Sequence, residues 1–139
     1  MIATIAELSE DARRFLAQPH FAVLATINAD GTPQQTVLWY EIQGEIVMMN
    51  TAAGRLKDRN LRRDSRASVC VTADGYGVTL WGRIEMIDDQ TVAQADIHRL
   101  AVRYDGPERA DRQSRDQFSK EHRITLRMKV ERIVLQGFD

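Results

Sequence analysis

The segment from residue 50 to residue 64, NTAAGRLKDRNLRRD, combines small residues with a run of basic side chains. It begins at the end of a predicted strand, passes through two alanines and Gly54, and enters a predicted helix. Small residues let backbone N–H groups approach a ligand, and a helix N-terminus favours an anion. Arg55 and Lys57 add a bidentate fork and a point charge near that helix start. The segment therefore predicts a phosphate-binding site.

The charge of this segment differs from that of the whole chain. Residues 55 to 66 contain six basic and two acidic residues, although the chain has a net charge of -1. Solvated charges on a helix face would account for the arginines at positions 59, 62, 63 and 66. They account less well for Arg55 and Lys57, because the helix dipole disfavours cations at a helix start unless an anion is bound there.

Other motifs that carry chemistry are absent from the sequence. It contains no GxxxxGK[ST] loop and no GxSxG motif, and Gly75-Tyr76-Gly77 is a fragment of a GxGxxG fingerprint. The three histidines lack metal-ligand spacing. The single cysteine, Cys70, lies in an apolar strand-like run and is interpreted as a buried thiol. No catalytic residue and no metal site are predicted, so a cofactor would carry the chemistry of any enzyme built on this chain.

Composition indicates one ordinary globular domain over residues 1–139. Apolar residues make up 43% of the chain and charged residues 28%. The near-neutral net charge argues against a dedicated nucleic-acid or membrane-surface protein. The N-terminus does not resemble a signal peptide, and no segment approaches the ~18 apolar residues of a membrane span. We therefore expect a cytoplasmic protein with no membrane partner.

The residue pattern predicts mostly antiparallel strands. A helix follows Ser9, and strands at about 21–27, 34–42 and 45–50 are expected to form a meander joined by short turns. In the first strand Phe21, Val23, Ala25 and Ile27 alternate. Further elements are a helix over 55–64, strands over 66–72 and 78–87, a helix after Asp88-Asp89, a loop over 105–111 and a terminal strand from 124. Gly82 inside a strand indicates a bend or the close approach of another backbone.

Two strands of the meander are apolar on both faces. They are the runs Val37-Leu38-Trp39-Tyr40 and Ile46-Val47-Met48-Met49. A sheet with one solvated face should alternate, so a helix, a ligand or another subunit covers the second face. A partner subunit is the preferred interpretation, since so large an apolar patch is rarely left exposed.

Two blocks of the sequence resemble a known family. The run FAVLAT at 21–26, followed by DGTP at 30–33, is similar to the opening of the pyridoxamine 5'-phosphate oxidase-like split β-barrel family. The pattern RxKxxNLRRDSRAS at 55–68 resembles the signature of its short deazaflavin (F420)-dependent branch. The resemblance implies a mainly β fold, a six- to seven-stranded antiparallel split β-barrel with two to four short helices.

The resemblance also implies a homodimer with two cofactor sites at its interface. In such a site a flavin-type ring lies near Thr36, Val37 and Leu38. The phosphate is bound by Arg55 and Lys57, with the backbone of Asn50 and Thr51, and Asn60 and Arg63 orient the phosphate site. The chain is shorter than true pyridoxamine-phosphate oxidases, which argues against the vitamin B6 reaction. Ser65 replaces an expected proline, a change that affects a turn more than a ligand.

The resulting hypothesis is an oxidoreductase that transfers a hydride between F420 and a small unsaturated or conjugated substrate. FMN is the alternative cofactor, because both molecules present a ring, a ribityl chain and a phosphate. The longer acidic tail of a deazaflavin is expected to contact the arginines beyond Lys57. A non-catalytic flavin or haem binder is a second hypothesis. A nucleic-acid module is a third, disfavoured because residues 55–66 contain no stacking aromatics.

Overall fold

The structure, a computed structural model, describes residues 1–138. Seven strands and four helices follow one another along the chain. In order they are α1 (Glu10–Leu16), β1 (Ala22–Ile27), β2 (Pro33–Leu38), β3 (Glu41–Gln43), β4 (Ile46–Ala52), α2 (Leu56–Arg63), β5 (Arg66–Ala73), β6 (Tyr76–Ile87), α3 (Gln90–Asp105), α4 (Pro107–Asp116) and β7 (Arg123–Gln136). Single 3-10 turns precede α1 and β7.

All seven strands form one antiparallel sheet, ordered β2-β1-β5-β6-β7-β4-β3. The sheet curves around a core to which β1 and β4–β7 contribute one face each, with α1 closing the core at one end. The expectation of a mainly β, antiparallel split barrel with a few helices is therefore confirmed.

The predicted meander of three strands is wrong. The expected second strand is divided at Trp39-Tyr40 into β2 and β3, which lie at opposite edges of the sheet. Tyr40 is fully buried at this division, and its hydroxyl donates to the carbonyl oxygens of Leu16 and Gln18. The chain thus passes from one edge of the sheet to the other, which a pattern of local alternation does not reveal.

The residues of β1 that face the core are not the alternating set Phe21, Val23, Ala25 and Ile27 but the residues between them. Ala22, Leu24 and Thr26 face the core, whereas Phe21 is 62% exposed. Both sets of residues are largely apolar, so hydrophobicity does not distinguish the two faces of this strand.

The second face of β4 is covered by helices of the same chain. Val47 and Met49 point into the barrel core, and Met48 belongs to a second cluster beneath α3 and α4. The members of that cluster are Met48, Ile97, Leu100, Ala101, Ala110 and Phe118. Helices of the same chain therefore cover β4 in place of the expected partner subunit. A helix was one of the alternatives that the sequence pattern allowed.

Most of the loop expected over residues 105–111 is helical, because α4 begins at Pro107 and continues to Asp116. Gly106, with φ 85°, separates α3 from α4, and Pro107 begins the new helix. Proline suits this first helical position because its missing N–H has no intrahelical partner there. None of the helices within residues 1–138 is long and apolar enough to cross a membrane.

A β-bulge interrupts the pairing of the two long central strands, β6 and β7, at Gly82. The register changes between Trp81↔Arg132 and Gly82↔Val130, so Glu131 is the extra residue of β7. As a result Val130 is buried before the bulge and Ile133 is buried after it, three residues later instead of the usual two. A one-residue bulge produces this shift. A Cβ at Gly82 would lie 2.0 Å from the carbonyl oxygen of Lys129, so the expected close backbone approach is confirmed.

Gly82→Ala is predicted to destabilise the protein by about 1–3 kcal/mol, because the backbone of β7 must move to admit the methyl group. Gly77→Ala in the same strand is the matched control, since its Cβ would meet the Gln136 side chain at an ordinary 3.6 Å. Urea unfolding of both variants measures the difference. Equal stabilities would contradict the assigned role of Gly82.

Candidate functional site

A cavity of about 310 Å³ lies where the ends of β2, β4 and β7 meet the start of α2 and the helices α3 and α4. Most residues predicted to bind a cofactor line it, and the structure brings them together from three separate segments. They are Thr36, Val37, Leu38, Asn50, Arg55 and Lys57. The remaining lining residues are Trp39, Ile97, Leu100, Gln113, Gln117, Phe118 and Arg123.

The local sequence explains how α2 presents its first residues to the cavity. Gly54 adopts φ 86°, a left-handed conformation that favours glycine, and this turn ends β4. The buried Asp58 carboxylate accepts hydrogen bonds from the Gly54 N–H at 2.7 Å and from Arg62 Nε at 2.7 Å. This carboxylate fixes the turn before α2 and so fixes the positions of Arg55 and Lys57.

Lys57 is a buried cation without a counter-charge. Its side chain projects from the first turn of α2, and the residue is 6% exposed. Within residues 1–138 its ammonium group makes no hydrogen bond and no ion pair. Burial lowers the pKa of Lys57 from its ordinary value, and the nearby Arg55 and Arg123 lower it further. A cation that lines a cavity and has no counter-charge in the chain favours an anionic ligand there.

Arg123 is a second buried cation at the same cavity, and it was not predicted. It opens β7 opposite Ala52 and is 4% exposed. Its Nε donates to Asn50 Oδ1 at 2.9 Å and its Nη1 to Glu121 Oε1 at 2.9 Å, and burial is the main cause that lowers its pKa. No sequence signal identifies it, because its place beside Lys57 depends on the register between β4 and β7.

Arg55 completes the cationic end of the cavity. Its side chain is half exposed, and its Nη2 lies 4.0 Å from Glu121 Oε2. Three cations thus face one carboxylate, which leaves a local excess of two positive charges. This arrangement can bind an anionic group such as the phosphate of a cofactor.

Part of the cavity lining is apolar. It is built from Leu38 and Trp39 of the strand edge and from Ile97, Leu100 and Phe118 beneath the helices. Trp39 stacks on Tyr104, with ring centroids 5.2 Å apart and an interplanar angle of 11°. Arg123 lies over the Phe118 ring, 5.1 Å from its centroid, so cations and apolar side chains are in contact in this cavity. A cavity that combines the two suits a ligand with a phosphate and a ring.

Two predicted cofactor residues lie outside the cavity lining. Thr51 is buried in the β4–β7 ladder. Asn60 is buried against β1, where its Nδ2 donates to Thr26 Oγ1 at 3.1 Å and to Asn28 Oδ1 at 3.0 Å. Arg63 donates to Asn60 Oδ1 and to the Ile27 carbonyl oxygen. These contacts attach α2 to the sheet and so orient Lys57 one turn earlier.

The other arginines of the basic segment lie on the surface. Arg62 pairs with Asp58, and Arg66 pairs with Asp64 at 2.7 Å. Arg59 donates to the Gly54 carbonyl oxygen. No cluster of three or more His, Cys, Asp or Glu side chains within residues 1–138 is arranged to hold a metal ion.

Lys57→Met is predicted to raise the stability of the ligand-free protein by about 1–2 kcal/mol, because it replaces an unpaired buried charge with an apolar chain of similar length. Lys120→Met is the control, since Lys120 is exposed. Denaturant unfolding at neutral pH measures both. A loss of stability in Lys57→Met would show that the ammonium already has a partner within the chain.

Comparison with known proteins identifies relatives over nearly the whole chain. An F420H2-dependent biliverdin reductase of Mycobacterium tuberculosis is 27% identical over 137 residues, covering 96% of this chain and 92% of the relative. A solved F420 reductase superposes with a TM-score of 0.75 at 23% identity, covering 91% of this chain and 98% of its own. The haem storage protein HutZ of Vibrio cholerae has a TM-score of 0.73 at 19% identity, covering 94% and 96%, and so shares the fold.

The family model described as pyridoxamine 5'-phosphate oxidase matches residues 8–136. This match confirms the resemblance carried by the sequence blocks at 21–33 and 55–68. The chain belongs to the pyridoxamine 5'-phosphate oxidase family.

Proposed function

We propose that this protein is an oxidoreductase that transfers a hydride between the deazaflavin F420 and a small unsaturated or conjugated substrate. The observation that carries the proposal is the pair of buried cations, Lys57 and Arg123, facing one cavity in which Lys57 has no counter-charge. The F420-dependent relative supports the choice of cofactor.

Different residues of the chain would bind different parts of the cofactor. Arg55, Lys57 and Arg123 would bind the phosphate, and Arg123 would be oriented by the amide of Asn50. The strand from Thr36 to Leu38 would lie along the ring, and Ile97 and Leu100 of α3 would exclude water from it. When bound, F420 supplies two-electron hydride chemistry. Its biliverdin-reducing relative makes biliverdin a first acceptor to assay.

The acidic tail of F420 would extend along the outer face of α2. Residues 55, 59 and 62 follow one another at helical spacings of four and three, so these arginines share one side of the helix. The rise of a helix places Arg62 roughly 10 Å beyond Arg55. FMN lacks such a tail, so this face would contact the deazaflavin alone.

The proposed homodimer would cover an apolar row on the outer face of the sheet. Cross-strand partners place Val37, Val23, Cys70, Thr79 and Val134 side by side across five strands. Val37 is 64% exposed and Val134 45% exposed. A second subunit over Val37 would approach the cavity through the neighbouring residues Thr36 and Leu38.

FMN is the second candidate cofactor, since the same cationic end would bind its phosphate. A haem at this cavity is disfavoured, because none of the residues lining it is a histidine, cysteine, methionine or tyrosine able to ligate iron. The non-catalytic alternative that remains is a flavin-type binder. Turnover with a panel of acceptors distinguishes it from an enzyme.

Titration with F420 and with FMN tests the phosphate site directly. We expect F420 binding to weaken more than tenfold in Lys57→Met and to stay unchanged in Lys120→Met. Fluorescence of the deazaflavin measures both. Unchanged affinity in Lys57→Met would reject the assigned phosphate site, and tighter binding of FMN than of F420 would favour the alternative cofactor.

Charge reversal on α2 tests the position of the acidic tail. Arg59→Glu is predicted to weaken F420 binding several-fold and to leave FMN binding nearly unchanged. Arg62 is kept, because it pairs with the Asp58 carboxylate that fixes the turn before α2. Arg14→Glu is a control on α1, where Arg14 forms a surface pair with Glu10. Equal effects on both cofactors would place the tail elsewhere.

A further inference from the structure

Glu121 is the carboxylate that the cations of the cavity share. Its Oε1 accepts from Arg123 Nη1 at 2.9 Å, and its Oε2 lies 4.0 Å from Arg55 Nη2. Within residues 1–138 no other carboxylate lies within ion-pair distance of Arg55, Lys57 or Arg123. Glu121 therefore offsets one of the three positive charges.

Glu121 lies behind the cations rather than among the residues that line the cavity. Its backbone is fixed, because its N–H donates to the Phe118 carbonyl oxygen at 3.0 Å and its carbonyl oxygen accepts from Gln94 Nε2 at 3.0 Å. A bound anion would meet Arg55 and Arg123 from the cavity. The two anions would compete for the same guanidinium groups.

The two arginines differ in how firmly they are attached to Glu121. Arg123 is buried and makes a close hydrogen bond, whereas Arg55 is half exposed and makes a contact near the limit of an ion pair. Such an exposed pair contributes little stability, so Arg55 is able to turn toward a ligand at small cost. Competition between Glu121 and the ligand therefore acts mainly through Arg55.

We propose that Glu121 sets the affinity of the anion site, keeping the binding of a phosphate-bearing ligand weak enough for that ligand to exchange between turnovers. This inference rests on the proposed function, in which a hydride carrier must arrive reduced and leave oxidised. Without Glu121 the three cations would bind a phosphate group more tightly and release it more slowly.

Glu121→Gln tests the proposal, because it removes the negative charge and keeps an oxygen that accepts from Arg123. The probe is inorganic phosphate, titrated without cofactor and followed by chemical-shift changes of the Gly54 amide and the Arg123 Nε–H. We expect the phosphate affinity to rise at least fivefold. In an Arg55→Met background the same substitution should give a smaller gain.

Glu85→Gln is the matched control for net charge. Glu85 is exposed and lies opposite Arg127, four residues or roughly 13 Å along β7 from Arg123. Its phosphate affinity should equal that of the wild type. A thermal melt of each ligand-free variant checks folding, and a conserved Arg123 Nε–H shift checks that the hydrogen bond to Asn50 is retained.

The outcomes separate this inference from the proposed function. Unchanged or weaker phosphate binding in a folded Glu121→Gln variant would overturn the inference even if wild-type protein binds F420. Tighter phosphate binding in that variant, with no F420 binding by the wild type, would support the role of Glu121 and reject the cofactor. Absence of phosphate binding by both proteins would overturn the inference, while the F420 titration would still decide the proposed function.

Discussion

The rest of the site depends on Lys57, a buried cation that has no counter-charge within residues 1–138. A charge removed from water and left without a partner destabilises a fold, and natural chains keep such groups where a ligand completes them. Here Arg123 adds a second buried cation to the same cavity, and Arg55 adds a third charge at its rim. The three together favour an anionic ligand, and the cavity beside them has room and apolar surface for what that anion carries.

The fold stabilises this unfavourable concentration of charge from several directions. Asp58 fixes the turn at Gly54, Asn60 and Arg63 attach α2 to β1, and Asn50 orients Arg123 across the β4–β7 ladder. The bulge at Gly82 lets β6 and β7 remain long and paired while the core-facing side of β7 changes. The favourable free energy of packing the barrel core thus offsets the destabilising effect of the clustered positive charges.

The parts of the site that the sequence predicted are those encoded by neighbouring residues. Arg55, Lys57, the small residues before them and the helix start all lie within one continuous segment, so their chemistry is visible without a fold. Arg123 is distant in sequence and reaches Lys57 through strand register, which no local pattern specifies. The separation of β2 from β3 and the covering of Met48 by α3 escaped prediction for the same reason, since each depends on long-range packing. Asn60 was predicted to help bind the cofactor by orienting the phosphate site, and its contacts connect it to β1 rather than to the cavity lining.

A crystal structure of the protein bound to F420 would locate both the phosphate and the ring. We expect phosphate oxygens about 2.7–2.9 Å from Lys57 Nζ and from the Arg123 guanidinium, the usual distance for charge-assisted hydrogen bonds. We also expect the ring beside the strand from Thr36 to Leu38. A deazaflavin bound with its phosphate away from Lys57, or bound outside this cavity, would show that the cations of the cavity do not form the cofactor site.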